Sequence, residues 1–388
     1  MPTGADRPRL LVIGAGEFQL PLVQHAAKTC DVLIAAPVIS EAFLPYASDT
    51  LIADVRDFDR IIRFADGSAS GRAPVDGVIT DGTDIPVLTV ARVADRLGLA
   101  GIGVECARLF TNKSLMRARM EELGLPVLPH AAVTSLAEAL AFYESIGGDV
   151  IVKPTDTQGS RGVQICSSRD DLVCKFDEAA RWSSEGVVIV ERFATGREFV
   201  VEGMALNYEF LNLCIGDTRY FGLSDSFSAT QRTFPTEADA ELRNRVLDLN
   251  ARIVAGFGLR QGITHSEFIM NGDEVYLIET AARGGGAFIS SDLIPLSCGV
   301  HPEEFLVEAA LGRLTGLSDV EGIGTIALPG DRDRLALNPL NYCGYLAFYV
   351  PAGEVLAVRG VDEVLGKPYV HRTQIAGLPA LVGSRYSG

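Results

Sequence analysis

Two periodicities alternate through the first hundred residues. Short apolar runs, "LLVIGAG", "DVLIAAP", "TLIAD" and "VDGVITDG", are separated by stretches with apolar residues at helical spacing, such as "IPVLTVARVADRLG" at 85–98. A strand followed by a helix and another strand returns the chain in the same direction, so this alternation predicts a parallel sheet with helices on its faces. A chain of 388 residues is too long for one ordinary core, so further domains must follow.

Near residue 111 the texture changes. "TNKSLMRARMEELGLPV" reads as a helix ending at Gly124, with Pro126 beyond it. "TSLAEALAFYESIGG" has Ser135 and Glu138 in a capping-box pattern. "DVIVKP" and "GVQIC" read as strands, and "SRDDLVCKFDEAARWS" as a helix. "VVIVERF" and "REFVVEGMAL" read as two strands joined by a turn at Thr195-Gly196. A long helix at about 236–257 precedes "GITHSEFIM" and "DEVYLIETAAR", joined by the turn Asn271-Gly272-Asp273. "HPEEFLVEAALG" is one more helix, and the tail from about 316 is strand-like.

Charge and cysteine usage narrow the class. With 50 acids against 34 bases the net charge is -16, which argues against nucleic-acid or anionic-membrane partners, whose phosphates need basic patches. Small phosphorylated ligands need only a few local cations and remain compatible. The 7 cysteines are scattered singly with no C-x-x-C pair, as expected of buried thiols in a reducing compartment. The polar start and the shortness of the apolar runs lead to the expectation of a cytoplasmic protein.

Several local patterns could carry chemistry. "IGAGEF" suggests a dinucleotide fingerprint, but Gln19 stands at its third glycine position and no acid ends the second strand, so a nicotinamide cofactor does not fit. Lys153 closes an apolar strand and Gly159, Ser160, Arg161 and Gly162 follow, a loop whose backbone N–H groups can converge on an anion. Read alone, that pattern fits a solvated hairpin equally well. Glu191 and Glu198 flank the Thr195-Gly196 turn, and each by itself fits a solvated strand end. Glu267 and Glu279 lie within apolar strands of one hairpin, where buried carboxylates need compensation. A hard divalent cation such as Mg²⁺, shared with nucleotide phosphates, would supply it. His265 beside them reads as structural, and the other histidines (His25, His130, His301, His371) show no metal-ligand spacing.

The order of these signals is more specific than any one of them. Lys113 on a helix, Lys153 on a strand, the glycine loop, Glu191, Glu198, the pair Glu267 and Glu279, then Arg283: this series resembles the ATP-grasp superfamily from about residue 9 to at least 315. The nearer likeness is to its carboxylate-amine ligase branch, which includes amino-acid ligases and purine-pathway enzymes. The resemblance implies an α/β (α+β grasp) plan. A Rossmann-like N-terminal domain would span 1–110. A two-lobed grasp domain would span 111–315, with lobes at about 125–187 and 188–315. A small β-rich domain would span 316–388.

It further implies ATP and Mg²⁺, or Mn²⁺ in its place, as cofactors. Lys113 and Lys153 would contact the α- and β-phosphates, and Gly159, Ser160, Arg161 and Gly162 would close over the β- and γ-phosphates. Glu191, Arg192 and Phe193 would line the adenine, and Glu198 would hold the ribose. Glu267 and Glu279 would bind metal. Arg283, Lys153 and Ser160 would serve the transfer itself. Glu17, Asp81, Arg283, Gly284 and Gly285 would face the substrates, a small-molecule carboxylate and an amine. A homodimer would accord with the habit of the branch. One departure is "ETAAR", which puts Ala281 where the family's metal strand commonly has Asn. Specificity is expected from 14–19, 80–84, 224–232 and the loop after Arg283. Bicarbonate or a thiol acceptor, or nucleotide binding without catalysis, are the competing readings.

Overall fold

The computed structural model describes residues 7–221, 227, 229–320, 323, 336–348, 352–375 and 378–386. Two compact units divide the chain, Met1–Tyr345 and Leu346–Gly388.

The first unit begins with the expected parallel sheet. Strands β1 (Arg9–Ile13), β2 (Asp31–Ala36), β3 (Ala47–Ile52) and β4 (Gly77–Ile79) lie in the order β3-β2-β1-β4, all parallel. Helices α1 (Leu20–Ala26), α2 (Phe58–Ala65) and α3 (Val87–Leu97) connect them and extend the layer. Leu11, Ile13, Leu33 and Ala35 pack against α2 and α3, while Leu10, Val12, Val32 and Ile34 face α1. Both faces of β1 and β2 are covered, which is why these two strands are almost continuously apolar, unlike the edge strand β3.

Helices α4 (Val104–Thr111) and α5 (Lys113–Glu122) meet at Asn112. Its backbone is extended, and its side chain accepts the N–H groups of Ser114 (3.0 Å) and Leu115 (3.1 Å). This cap makes Lys113 the first residue of α5.

A second sheet follows, formed by β5 (His130–Val133), β6 (Val150–Pro154), β7 (Gln164–Cys166) and β8 (Val188–Arg192) in the order β5-β8-β6-β7. Helices α6 (Leu136–Ile146) and α7 (Arg169–Trp182) cover it. Ser135 caps α6, and the Glu138 carboxylate returns to accept the Thr134 N–H (2.8 Å).

The third sheet carries β9 (Arg197–Leu206), β10 (Glu209–Tyr220), β11 (Ala229–Phe234), β12 (Gln261–Asn271), β13 (Glu274–Ala281) and β14 (Cys343–Leu346), in the order β13-β12-β9-β10-β11-β14. Helix α8 (Ala240–Phe257) packs on the face bearing Phe199, Val201, Ile215, Phe268 and Leu277. The other face carries Val200, Met204, Leu213 and Ile263. These join one core with α9 (Ile294–Cys298), α10 (Pro302–Ala310) and the first sheet.

Two sequence expectations are corrected here. The runs "VVIVERF" and "REFVVEGMAL" do not form a hairpin, because β8 pairs with β5 and β6 while β9 pairs with β10 and β12. The break between lobes therefore falls after Arg192 rather than at 188, since an apolar strand pattern does not say which sheet it joins. The tail also divides later than 316: β14 belongs to the third sheet, and the second unit starts at Leu346. Within that unit β15 (Gly353–Glu354) pairs with β16 (Arg385–Tyr386), and α11 (Val361–Leu365) lies between them in sequence.

The β12–β13 hairpin forms as expected, with Asn271 opposite Glu274. It holds one irregularity. Glu267 pairs with Glu279 and Phe268 with Leu277, so Ile278 is an extra residue, a β-bulge. Without it, Glu279 would share the α8 face with Val275 and Leu277. With it, Glu279 turns to the face of Glu267, Glu198 and Glu202.

The crossover from β8 to β9 passes close to β12. A Cβ on Gly196 would lie 1.7 Å from the Met270 carbonyl oxygen. Gly196→Ala should therefore cost stability by about 1–3 kcal/mol, the usual range for overpacking. Urea unfolding of the variant measures this, and an unchanged midpoint would contradict the tight crossing.

Candidate active site

Helix α5 delivers two cations one turn apart. Lys113 Nζ lies 2.8 Å from a Glu279 carboxylate oxygen and donates to the Thr157 carbonyl at 2.6 Å. Arg117 donates from Nε to Glu191 Oε1 (2.6 Å) and from Nη2 to the Ile278 carbonyl (2.6 Å). Glu191 Oε2 accepts from Lys153 Nζ at 2.6 Å. Lys153 and Glu191 meet because they are diagonal neighbours on one face of β6 and β8, where Lys153 is opposite Ile189 and Glu191 opposite Ile151. Glu191 is 0% exposed, and burial alone would raise its pKa. The charges of Arg117 and Lys153 outweigh that and hold the carboxyl well below the usual range.

The glycine loop joins β6 to β7. Gly159, Ser160 and Gly162 have φ of +64, +58 and +73°, all in the left-handed region. Ser160 and Arg161 are exposed. Gln158 ties this loop to the end of the first sheet: it donates to Thr83 Oγ1 (2.7 Å) and accepts the Asp84 N–H.

The acidic face of the third sheet is crowded with cations. Glu267 is paired with Arg232 Nη2 and lies 3.2 Å from His265 Nε2. His265 Nδ1 meets Glu202 at 2.5 Å, and Glu202 also accepts the Gly285 N–H at 3.2 Å. Burial pulls the His265 pKa down, but the Glu202 carboxylate opposite reverses this and raises it. Burial likewise raises Glu267, and Arg232 and His265 bring it well below its ordinary value. Glu198 accepts from the Tyr220 hydroxyl (2.5 Å), and burial pushes its carboxyl up to about 7.

Arg283 is held by a two-point pair with Asp84, at 2.5 Å from Nε and 3.1 Å from Nη2, and donates to the Gly284 carbonyl. Three of the stretches expected to set specificity converge around it. Phe18, from 14–19, stacks edge-on with Phe288 at 5.1 Å, and Gly82, from 80–84, packs against Phe18. The loop 284–288 enters a short π-helix, Ile289–Leu293, through Ala287 and Phe288, two non-glycine residues in the left-handed region. Such conformations persist where surroundings enforce them, often at functional sites. In the fourth stretch, 224–226 and 228 lie outside the described residues, while Arg232 is in place.

The other expected site residues fall as follows. Arg192 is exposed and Phe193 half-buried on the strand end after Glu191. Glu17 is exposed on the 3-10 turn Glu17–Gln19. Asp81, expected to face substrate, is corrected: it is 2% exposed and turned inward, accepting the Gly284 N–H at 2.7 Å. Its role in the fold is to shape the loop. The Glu191 carboxylate is likewise committed to Arg117 and Lys153.

The side chain of Gln19 fills the concave side of the "GAG" turn, bonded to Ile13 and Thr80. Arg117, Arg232, Glu202, Asp84 and Gln158 were not singled out as site residues in the sequence. Arg117 had one usable signal, its place one helical turn after Lys113.

Among the described residues no three His, Cys, Asp or Glu side chains form a metal-binding group. Glu267 and Glu279 nevertheless stand directly opposite each other on one face. Two carboxylates suffice for a Mg²⁺ ion that keeps waters and phosphate oxygens as its remaining ligands, so the donor set fits that ion.

Residues 146–292 match the ATP-grasp domain family. The chain carries a stretch that resembles an ATP-grasp domain. Its fold agrees with solved structures at low sequence identity. L-amino acid ligase from Bacillus licheniformis superimposes with a TM-score of 0.79 at 20% identity, covering 94% of this chain and 86% of that one. Biotin carboxylase from Campylobacter jejuni gives 0.68 at 17%, covering 90% and 79%. Alanine–anticapsin ligase of Bacillus subtilis is 26% identical over 241 residues, 56% of this chain and 50% of that protein. The chain thus spans about half the length of such curated relatives. No helix among its described residues is long and apolar enough to cross a membrane.

One buried acid gives a pH test. Glu303, in the first turn of α10, is buried, which pushes its carboxyl up to about 7, with Asp81 and Asp292 adding to the rise. The folded state therefore holds this proton more tightly than the unfolded chain. Its ionisation costs stability progressively as pH rises from about 4.5 to 7. Glu303→Gln should stabilise the protein at pH 8 by on the order of 2 kcal/mol and do little at pH 4.5. Thermal unfolding of both proteins across that range checks it, and equal shifts at both ends would refute the cause given.

Proposed function

We propose that the chain is an ATP-dependent ligase that activates a carboxylate as an acylphosphate and joins it to an amine, most simply that of an amino acid. One observation carries this reading. Glu267 and Glu279 face each other on adjacent strands, and the lysine paired with Glu279 also touches the segment leading into the glycine loop. Two acids suited to a metal, a lysine suited to phosphates and the glycine loop are thereby neighbours. The likeness to an L-amino acid ligase and to alanine–anticapsin ligases supports it.

A carboxylate is a poor electrophile. Its oxygen attacks the γ-phosphorus, ADP leaves, and the acyl carbon becomes open to attack by the amine, which loses a proton as phosphate departs. Lys113 and Lys153 would hold the α- and β-phosphates, and Gly159–Gly162 would cover the β- and γ-phosphates, with Ser160 at its tip. The backbone of Glu191, Arg192 and Phe193 would line the adenine, and Glu198 would bind the ribose hydroxyls. Glu267 and Glu279 would hold Mg²⁺, which when bound offsets phosphate charge. Lys113 and Arg232 neutralise these acids in its absence.

Arg283 would stabilise the transferred group, and it must leave at least one of its Asp84 contacts to do so. Gly284, Gly285 and Glu17 would border the two substrates. A bicarbonate-using ATP-grasp reaction is the second reading, favoured by the biotin carboxylase fold and by 24% identity over 323 residues to a carbamoyl phosphate synthase large chain of Streptomyces griseus.

ADP release should require an organic acid and an amine together, with the condensed product visible by mass. Arg283→Lys, which loses the planar fork, should lower kcat by about 10²–10³-fold, as removal of a transition-state donor does. ADP release driven by bicarbonate alone would overturn the proposed ligase in favour of the second reading.

A further inference from the structure

Arg117 is among the largest fully buried side chains, and no role in nucleotide or metal binding follows from its position on α5 alone. Its contacts are unusual in what they join. One end of its guanidinium holds Glu191, whose other oxygen holds the Lys153 ammonium. The same guanidinium donates from Nη2 to the carbonyl of Ile278. Ile278 is the extra residue of the β13 bulge, and that bulge is what turns Glu279 away from the α8 core and opposite Glu267. A bulged residue stands outside the ladder, so its carbonyl needs a partner from elsewhere.

We propose that Arg117 is a positioning residue for both halves of the site: it aims the Lys153 ammonium through Glu191, and it aims the Glu279 carboxylate by fixing the Ile278 bulge. This rests on the ATP and Mg²⁺ reading given above.

The geometry explains why arginine stands here. Glu191 and the Ile278 carbonyl lie on two different sheets, and a planar fork reaches both with fixed directions. A lysine supplies the same charge from a single, rotatable point and fixes the direction of neither partner. The adjacent Lys113, one turn earlier on α5, touches Glu279 directly, so both ends of the α5 face act on the same acid. A purely structural arginine would only neutralise Glu191.

The test separates these roles by binding rather than turnover. ADP affinity without metal is measured by calorimetry, and Mn²⁺ affinity of the ADP complex by electron paramagnetic resonance, for the unmodified chain, Arg117→Lys and the double variant R117M/E191Q. The double variant removes one cation and one anion together, so the net charge of the cluster is unchanged and the new amide oxygen can still accept from the Lys153 ammonium.

Arg117→Lys should melt close to the unmodified chain yet bind both ADP and Mn²⁺ about tenfold or more weakly, the usual loss when a residue that orients a ligand is removed. R117M/E191Q should remain weak for Mn²⁺. Mn²⁺ binding at the unmodified strength in either variant overturns the positioning of Glu279, and unmodified ADP binding in Arg117→Lys overturns that of Lys153. If the unmodified chain binds neither ADP nor Mn²⁺, the ATP reading itself fails and this inference falls with it.

Discussion

A carboxylate sealed from water between two cations is the constraint on which the rest of the cleft depends. Glu191 has no solvent contact, and an ion in that setting is tolerable only with partners at hydrogen-bond distance. It has two, Arg117 and Lys153. The trio carries one surplus positive charge in a region of low dielectric, where its pull on an incoming anion is stronger than at an exposed surface. Because β8, β6 and α5 each contribute one member, the trio also ties the helix to the second sheet.

The third sheet solves a different problem, that of serving two masters. Its α8 face is an ordinary apolar core, with Phe199, Val201 and Phe268 fully buried. Its other face changes character along its length. At one end Met204 and Ile263 pack on the helices beneath the first sheet, and at the other Glu198, Glu202, His265 and Glu267 are exposed to one another. Strict alternation along β9 and β12 places those residues, with His265 opposite Glu202. Glu202 and Glu267 are compensated by His265 and Arg232, while Glu198 rests on the Tyr220 hydroxyl.

Much of this was readable from the chain. The parallel sheet followed from strands alternating with helices. Glu267 and Glu279 followed from acids embedded in an apolar hairpin whose turn contains Gly272. What escaped reading had a common cause. Arg117, Asp84 and Gln158 act through partners 74, 199 and 75 residues away, and no local pattern encodes such pairings. The assignment of β8 to the second sheet was hidden for the same reason, since β8 and β9 have equal claims to be hairpin partners until their hydrogen bonds are seen. The resemblance put Asp81 toward the substrates, but it faces inward and accepts the Gly284 N–H.

The single extra residue in β13 has a bearing on how portable this site is. The segment "IET" cannot be moved to another sheet as a motif, because its acid faces the cleft only when Ile278 bulges. The bulge carbonyl is in turn met from a helix more than a hundred and fifty residues earlier in the chain. Anyone grafting the acidic hairpin into a new scaffold would have to carry α5 along with it. Left without α5, the graft would keep the right letters with an unsupported kink, free to revert to plain alternation and point Glu279 into oil.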